Sequence, residues 1–384
     1  MFALGAHFVR TRARARADHN DEYVSANDSA IQGERRPNAG MEIEGTILRG
    51  HEFEPIEGRI VVEDGRIEAI EETTTDADRI VSPAFVNAHT HIGDSIAKEA
   101  GGGLNLDELV APPDGLKHRL LREASHEELV AGMERTIQFM HDSGTAAFCE
   151  FREGGVDGVR AIEDALTDLP VDATVLGRES IAAMEASDGF GASGARDADF
   201  ADEREATREA GKLFGIHAGE RDADDIDAAF ALDPDFLVHM VYAQSDHFDR
   251  LDEEGWPVVV CPRSNLVTGV GLPPIAELAE HTTVALGTDN AMLNSASMFR
   301  EMEFTAKLTD LSAHEILRMA TINGAELLDM DVAIETGNTA RLCVLDGDSH
   351  NLAGARDPAR AVVRRAGVSD VERVVVPTDN SDNS

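Results

Sequence analysis

The sequence predicts an α/β protein, a (β/α)8 TIM barrel with a small composite β-sandwich domain formed by both chain ends. Between residues 81 and 331, eight apolar runs follow one another, and helical patterns separate most of them. Strands that alternate with helices indicate a parallel sheet, and eight strands in about 250 residues are typical of this barrel. Short runs of β-like alternation on both sides of this stretch predict the second domain.

Residues 1–40 differ in composition from the rest of the chain. They contain six arginines and five acidic residues, and "RTRARARADHNDEY" shows no apolar period. Such a stretch buries too little apolar surface to fold, so we expect a disordered N-terminal extension. Met41 begins a regular pattern. The extension is therefore interpreted as a flexible tail or a misassigned start, with a targeting role as a further alternative.

Two segments, residues 41–80 and 332–376, are assigned to the composite β domain. The first contains "GTILRG" and "GRIVVEDGRIEAIEE", in which the Asp64-Gly65 pair predicts a β-hairpin. The second contains similar short β-like runs, "TARLCVLDGD", "PARAVVRRA" and "VERVVV". We predict that these runs are strands of one small domain.

The barrel is assigned to residues 81–331. Its eight predicted strands are "SPAFVNAHTH", "GTAAFCEFRE", "DATVLGR", "GFGASG", "LFGIHAGE", "FLVHMVYA", "PVVVCPRSN" and "TVALGTDN". The fourth run is the weakest of them. Capping boxes predict the starts of two helices, one from Ser125 to Glu128 and one from Ser312 to Glu315.

The net charge of −39 argues against two classes of partner. Lysine occurs only four times in 384 residues, and the acidic residues are dispersed along the chain. Nucleic acids and anionic membranes bind basic surfaces, so neither is an expected partner. An acidic, lysine-poor surface is typical of proteins in concentrated cytoplasmic salt, which screens charge repulsion. We predict a halophilic protein, with an ordinary acidic enzyme as the alternative.

Apolar runs and cysteines indicate the compartment. The chain has no apolar run of about 18 residues that could span a membrane, and its start lacks the features of a secretory signal. Cys149, Cys261 and Cys343 have neither metal-site nor disulfide spacing, which fits a reducing environment. We expect a soluble, cytoplasmic protein.

Histidines and carboxylates cluster at the predicted C-terminal ends of the strands, where barrel active sites lie. Strand one ends with His89 and His91, which share a face because residues i and i+2 of a strand do so. Later strand ends supply His217, Glu220, His239 and Asp289. Imidazoles with one carboxylate suit zinc or ferrous iron. Two histidines on one strand could be core residues, but the set across four strands favours a metal site.

Taken in order, the motifs "NAHTH", "GIHAGE", "LVHMV", "CPRSN" and "LGTDN" resemble the amidohydrolase superfamily. They are similar to its aminohydrolase and chlorohydrolase branch, which includes cytosine, guanine and S-adenosylhomocysteine deaminases and triazine hydrolases. The similarity covers residues 41–376, and "HAGE" is its branch-specific part. Many binuclear members carry a carboxylated lysine after strand four, but no lysine lies between Lys117 and Lys212. The resemblance therefore implies one divalent metal ion, zinc or iron.

The resemblance also implies a role for each site residue. Four residues would bind the metal: His89, His91, His217 and Asp289. The ion lowers the pKa of its water so that metal-bound hydroxide can attack an amidine-like ring carbon. Asp289 accepts a proton, and Glu220 protonates the ring nitrogen and carries a proton to the leaving amine. His239 stabilises charge on the attacking oxygen; a core histidine and a surface glutamate are the alternatives for His239 and Glu220.

Three residues at strand ends are candidates for substrate binding: Glu150 and Arg152 of strand two, and Arg178 of strand three. An arginine at the mouth of an acidic barrel could hold a carboxylate or a ribose hydroxyl, and a salt bridge within the rim is the alternative. "GGGLNLDEL", after strand one, replaces the longer lid of many relatives. The ten other histidines, such as His51 and His118, are expected to face solvent.

These observations predict an enzyme, a metal-dependent hydrolase of a non-peptide C–N bond. The expected reaction is hydrolytic deamination of a purine, pyrimidine or related nitrogen heterocycle, so the partner is a small molecule. One alternative is other amidohydrolase chemistry, such as opening of a cyclic amide or imidazolone ring, or dechlorination. A non-catalytic scaffold is the other, although scaffolds usually lose metal ligands that this chain keeps. A homo-oligomer is compatible with the sequence, which identifies no interface.

Overall fold

The computed structural model describes residues 40–377. The predicted disordered extension lies outside the described residues except for Gly40. Within residues 40–377, no helix has both the length and the apolar character that crossing a bilayer requires.

The described residues contain fifteen strands. Their bounds are β1 (Met41–Arg49), β2 (Glu54–Glu63), β3 (Arg66–Glu72), β4 (Arg79–Pro83), β5 (Phe85–His91), β6 (Thr145–Arg152), β7 (Asp172–Gly177), β8 (Gly189–Ala192), β9 (Leu213–Ala218), β10 (Phe236–His239), β11 (Val258–Val260), β12 (Val284–Leu286), β13 (Asp289–Asn290), β14 (Leu342–Asp346) and β15 (Val371–Val375). They form two sheets, one of six strands and one of nine.

Fourteen α-helices connect the strands within residues 40–377. Their bounds are α1 (Leu106–Leu109), α2 (Leu116–Glu123), α3 (His126–Asp142), α4 (Gly155–Ala165), α5 (Ile181–Glu185), α6 (Ala201–Ala210), α7 (Ile226–Ala231), α8 (Ser245–Glu254), α9 (Pro262–Thr268), α10 (Ile275–His281), α11 (Met298–Leu308), α12 (Ala313–Met319), α13 (Ile322–Leu327) and α14 (Pro358–Arg364). Two 3-10 helices span Ile92–Ala97 and Val368–Asp370.

Strands from both ends of the described chain share the six-stranded sheet, in the order β15-β14-β4-β1-β2-β3. β4 is parallel to β1 and antiparallel to β14. The apolar side chains of this sheet, such as Ile47, Ile60 and Leu342, pack into a cluster of their own. A second sheet facing it is not seen in residues 40–377, so the β-sandwich stays a prediction, as do the domain boundaries.

The predicted hairpin at Asp64-Gly65 is confirmed. Glu63 at the end of β2 pairs with Arg66 at the start of β3. Asp64 and Gly65 have φ angles of +47° and +74°. Two successive positive φ angles define the type I′ turn, whose twist matches that of the strands it joins.

The other nine strands curl into a parallel, barrel-like sheet, in the order β12-β11-β10-β9-β8-β7-β6-β5-β13. β13 follows β12 after two residues and pairs in parallel with β5. The Thr288 amide also donates to the His89 carbonyl oxygen at 3.0 Å. β12 and β13 are thus two halves of an eighth strand that closes on the first, and an α/β barrel-like fold is confirmed.

One predicted strand is wrong. The run "PARAVVRRA" forms helix α14. Pro358 occupies the first turn, and the Asp357 side chain accepts a hydrogen bond from the Arg360 amide. Helix-start signals of this kind outweigh a short apolar run, and both were readable in the sequence.

Other local predictions are confirmed. The weak fourth run is strand β8, which pairs with β7 and β9 on its two sides. The capping boxes at Ser125 and Ser312 begin α3 and α12. The carboxyl ends of the barrel strands therefore collect at one rim, which is where the candidate site lies.

Candidate active site

Four histidine rings meet at the C-terminal ends of β5, β9 and β10. The centroid of the His89 ring lies 4.9 Å from that of His91, 5.0 Å from His217 and 6.0 Å from His239. All four side chains are buried. Asp289 joins them, with Oδ1 at 3.5 Å from His89 Nε2 and 3.7 Å from His91 Nε2. The fold thus brings together residues that are up to 200 positions apart in the chain.

Two ring nitrogens of this cluster face each other without a proton between them. His217 Nδ1 donates to the Ala192 carbonyl at 2.8 Å, and His91 Nδ1 lies 2.8 Å from Glu153 Oε1 and 3.0 Å from the Phe151 carbonyl. With Nδ1 protonated in both rings, each Nε2 presents a lone pair. Burial lowers the pKa of both histidines, that of His91 to about 3. The two Nε2 atoms nevertheless lie only 3.3 Å apart, an arrangement that a cation would stabilise.

His89 gives a second indication of a cation site. Both of its ring nitrogens are buried, and neither has a hydrogen-bond partner among the described residues. Buried polar groups are rarely left unpaired. Two sets of potential ligand atoms lie within 4.8 Å of one another: His89, His91 and His217, and His89, His239 and Asp289. Imidazole nitrogens with one carboxylate oxygen fit zinc or ferrous iron.

Close approach of the eighth strand to the first positions Asp289. A Cβ added at Gly287 would lie 2.8 Å from His89 Cβ and 2.9 Å from the His89 nitrogen, so the two strands could not approach this closely with a larger residue. Asp289 itself has a φ of +57°, which side-chain-bearing residues seldom adopt. The Ser264 hydroxyl donates to Asp289 Oδ2 at 2.5 Å. Oδ1 is thereby left for the histidine cluster.

Glu220 follows β9 and faces His239 across the pocket. Gly219, with a φ of +63°, turns the chain, and its amide donates to Asp225 Oδ1 at 2.9 Å. Glu220 Oε1 lies 3.7 Å from His239 Nε2, and burial raises the pKa of Glu220. Asn265 Nδ2 donates to His239 Nδ1 at 3.1 Å, which leaves the ring proton on Nε2. A carboxyl group able to hold a proton thus lies beside an imidazole able to donate one.

The pocket in front of this cluster is lined on its apolar side by the segment after β5. Leu106 of "GGGLNLDEL" and Pro112 beyond it form part of this wall. Arg178, Glu220 and Asp289 line the same pocket. Of the three predicted substrate-binding residues, the structure therefore brings Arg178 to the pocket.

Glu150 and Arg152 do not line the pocket. Both are buried, and Glu150 Oε2 accepts hydrogen bonds from Thr90 Oγ1 at 2.7 Å and from the Ile92 amide at 2.8 Å. Arg152 Nη1 lies 3.5 Å from Glu150 Oε1. Phe151, between them, is the β6 residue whose ring contacts His89, so Glu150 and Arg152 lie on the opposite face of β6, where Arg152 Nη1 is 3.8 Å from Met133 Sδ of α3. The predicted substrate contact is therefore wrong for both, and the alternative, a salt bridge within the rim, describes them.

Sequence reasoning missed two charged residues beside the histidines, Glu153 and Lys117. Both are buried and lie in contact with each other. Burial alone would raise the pKa of Glu153, but Lys117, His91 and Arg178 hold it well below its usual range. An acidic residue directly after β6 and before the Gly154-Gly155 turn was the available signal for Glu153. Nothing local to the α2 sequence indicated that Lys117 would reach this site.

Two of the histidines expected to face solvent are buried, His118 and His247. His118 is 8% exposed, and its Nε2 lies 3.1 Å from the Val110 carbonyl oxygen. Burial lowers its pKa to about 4. This contact holds the segment before α2 against α2, the helix that carries Lys117. His51 is exposed, as expected.

Sequence comparison connects this chain to one family. A family model described as "Amidohydrolase family" matches residues 80–376. A protein of Methanothermobacter thermautotrophicus, provisionally named an aminohydrolase, is 35% identical over 86% of this chain and 96% of its own length. A 5-methylthioadenosine/S-adenosylhomocysteine deaminase of Halobacterium salinarum is 27% identical over 81% of this chain and 83% of its own.

Solved structures share the fold. A zinc-bound adenosine deaminase from Xanthomonas campestris matches with a TM-score of 0.69 and 19% identity, over 88% of this chain and 91% of its own. An atrazine chlorohydrolase from Arthrobacter aurescens in complex with zinc matches with a TM-score of 0.73 and 18% identity, over 88% and 94%. These proteins and this chain therefore have a common fold.

Proposed function

Because the chain belongs to the amidohydrolase family and is thus a hydrolase that acts on C–N bonds, we propose that it deaminates a nitrogen heterocycle by hydrolysis. One observation carries the proposal. Buried histidine nitrogens that lack protons converge with the Asp289 carboxylate, while Glu220 and His239 face the same pocket. The sequence motifs indicated a resemblance to the amidohydrolase superfamily, and the family match confirms it.

The metal site is part of the proposal. Four residues would hold one divalent ion: His89, His91, His217 and Asp289. Bound there, zinc, or iron as the alternative, would act as a Lewis acid and lower the pKa of water in the pocket. Glu153 and the Ala192 carbonyl keep two of the histidines in the Nδ1-protonated form. Partners of this kind usually strengthen metal binding.

The two carboxyl groups take part in proton transfer, Asp289 first as an acceptor and Glu220 first as a donor. Asp289 Oδ1 accepts a proton from water as the water oxygen bonds to the amidine-like carbon, and Glu220 gives its proton to the adjacent ring nitrogen. His239 Nε2–H donates to the oxygen on which negative charge develops. The proton on Asp289 and the last proton of the former water then reach the leaving amine and Glu220. Ammonia departs, a carbonyl forms, and both carboxyl groups return to their starting states.

The relatives indicate which compounds to try first. Several are named as deaminases of adenine nucleosides, which supports a purine base as substrate. The dispersed negative charge supports two further sequence predictions, namely function in concentrated cytoplasmic salt and a small-molecule partner rather than nucleic acid or membrane. Strands from both chain ends in one sheet support the composite β domain beside a catalytic barrel.

Ammonia release tests the proposal. The protein would be purified in concentrated KCl, loaded with zinc or ferrous iron, and assayed against adenine, guanine and cytosine compounds. We expect ammonia from at least one of them, and none from Asp289→Asn or Glu220→Gln. Glu220→Gln should keep its metal, because Glu220 is not among the ligands. Asp249→Asn and Glu209→Gln, both on exposed helix surfaces, are matched controls.

Two results would contradict parts of this scheme. Full activity in Glu220→Gln would remove the proton-transfer role of Glu220. A folded, metal-loaded protein that releases no ammonia would contradict deamination. Ring-opened product or chloride release would then assign the site to the other amidohydrolase reactions.

A further inference from the structure

Two cationic side chains are buried in the wall of the active-site pocket. Lys117, on α2, is 2% exposed, and Arg178, directly after β7, is 7% exposed. Lys117 Nζ lies 2.6 Å from Glu153 Oε1, and Arg178 Nη1 lies 2.8 Å from the same oxygen. His91 Nδ1 also contacts this oxygen, at 2.8 Å. Glu153 Oε1 is therefore the shared partner of two cationic side chains and of His91, one of the proposed metal ligands.

This arrangement leaves both charge and donors unmatched. An ammonium has three N–H donors and a guanidinium has five. Within residues 40–377, Glu153 is the sole acceptor that either side chain contacts. A buried charge without a partner is costly, so two cations with one carboxylate require a second anion. Both side chains line the pocket, and the missing anion can reach them from there.

Nearby acidic groups do not supply it. Asp94 is not among the residues that line the pocket, and its two oxygens accept hydrogen bonds from Asn290 Nδ2 and the Met292 amide, each at 2.9 Å. Glu220 lies 3.7 Å from His239 Nε2, and within residues 40–377 it forms no ion pair with either cation. The second anion must therefore come from the ligand.

The two other arginines that line the pocket are a useful contrast. Arg196 pairs with Asp222 and Asp225, and Arg221 pairs with Asp107 and Asp197. Each of these arginines thus has two carboxylates of its own. The cation excess is confined to Lys117 and Arg178.

Arg178 also marks where a substituent would extend. It lines both the inner pocket, of about 60 Å³, and an adjoining outer cleft of about 500 Å³. Pro112, Ser193 and Asp197 are shared by the two cavities in the same way. A ring held near the histidines would therefore direct its substituent past Arg178 into the outer cleft.

We propose that Lys117 and Arg178 form an oxyanion subsite, and that the substrate is a nitrogen heterocycle that carries a carboxylate or phosphate substituent. The proposal rests on the proposed function, because it takes the ring to be the reacting part. It adds that the substituent is anionic. A carboxylate or a phosphate would complete the charge pairing through charge-assisted hydrogen bonds.

A matched series of compounds tests it. Adenosine is neutral, adenosine 5′-carboxylate and adenosine 5′-monophosphate are anionic, and 5′-amino-5′-deoxyadenosine is cationic. Ammonia release would be measured with the metal-loaded protein at one fixed KCl concentration, and binding to metal-loaded Glu220→Gln would be measured by calorimetry. We expect kcat/KM and affinity to favour an anionic member over adenosine by about tenfold or more. The better anion of the two identifies the substituent.

Variants show whether Lys117 and Arg178 cause the preference. In Arg178→Gln and Lys117→Gln the anion-to-neutral ratio should fall towards one, while Arg160→Gln, at an exposed position, should keep it. Melting and metal content would show that each variant is folded and loaded. Arg178→Lys keeps the charge, so it should keep most of the preference if the glutamine variants fail to fold.

The outcomes separate this proposal from the deaminase assignment. If adenosine is deaminated as well as the anionic members, the subsite is wrong and the proposed function stands. If no compound yields ammonia, deamination of adenine nucleosides is wrong, and calorimetry alone decides on the subsite. Tighter binding of the anionic members that Arg178→Gln removes would support the subsite, and its absence would overturn it.

Discussion

The contact of Gly287 with His89 makes Gly287→Ala a sharp test of how the site is built. The new Cβ would lie 2.8 Å from His89 Cβ and 2.9 Å from both the His89 nitrogen and its carbonyl oxygen. Ordinary contacts begin near 3.4 Å, so the eighth strand must move away from the first by several tenths of an ångström. Backbone atoms cannot rotate out of the way. Overpacking of this kind usually costs ~1–3 kcal/mol of stability.

The same displacement reaches the proposed metal ligands. Asp289 lies two residues after Gly287, and His89 is the residue that the new methyl group would push. Metal–ligand distances tolerate about 0.2 Å, so we expect metal affinity to fall by roughly 10- to 100-fold. The cost in stability and the loss of metal should therefore occur together.

Two measurements check this prediction. Competition with a chelator gives the zinc affinity, and thermal melting of the metal-free protein gives the stability without the contribution of bound metal. Gly102→Ala is the matched control, because its Cβ would meet no atom within 4 Å. Wild-type zinc affinity in Gly287→Ala would refute the claim that this close approach sets the position of Asp289.

Four further outcomes are expected. Ser264→Ala removes a hydrogen bond to the buried Asp289 carboxylate, so kcat/KM should fall about tenfold while the metal is retained. An unchanged kcat/KM would show that Ser264 does not position Asp289. Chelation should lower the melting temperature, since free metal at about 100 times its Kd stabilises by about 2.7 kcal/mol; equal melting with and without metal contradicts the site. Burial raises the pKa of Asp94 to about 7, so the folded state holds a proton that the unfolded chain releases. The contribution of Asp94 to stability should therefore fall by up to about 4 kcal/mol as the pH rises from about 4 to about 7, and denaturant titrations of wild type and Asp94→Asn should differ by this pH-dependent amount. Finally, the melting temperature should rise between about 0.1 M and about 2 M KCl, because salt screens the repulsion of an acidic surface; no rise would count against the halophilic prediction.

Local rules explain why much of the histidine cluster could be predicted from sequence. The i, i+2 spacing of His89 and His91 fixes their common face once β5 is a strand. The ends of parallel strands share one rim, so His217 and Asp289 could be expected nearby although they lie far along the chain. The strands themselves were marked by apolar runs, and two helix starts by capping boxes.

The same rules could not assign Glu150 and Arg152. Every residue of β6 is buried, because the barrel interior covers one face and helices cover the other. Alternation along such a strand gives no inward or outward direction, so a charged residue near its end can face the helices instead of the pocket, as Arg152 does beside Met133. Sequence reasoning missed Lys117 for another reason. It reaches Glu153 through the packing of a segment whose course no periodic pattern determines.

The position of Lys117 also bears on the meaning of the acidic composition. Exposed charges of a salt-adapted surface act through water and ions, but a lysine that is 2% exposed has little contact with either. Removing an ammonium from water costs several kcal/mol, so a buried lysine in a chain with only four needs a compensating anion. Glu153 already compensates Arg178 and is contacted by His91 as well. Surface adaptation therefore does not account for Lys117, whereas an anionic ligand in the adjoining pocket does.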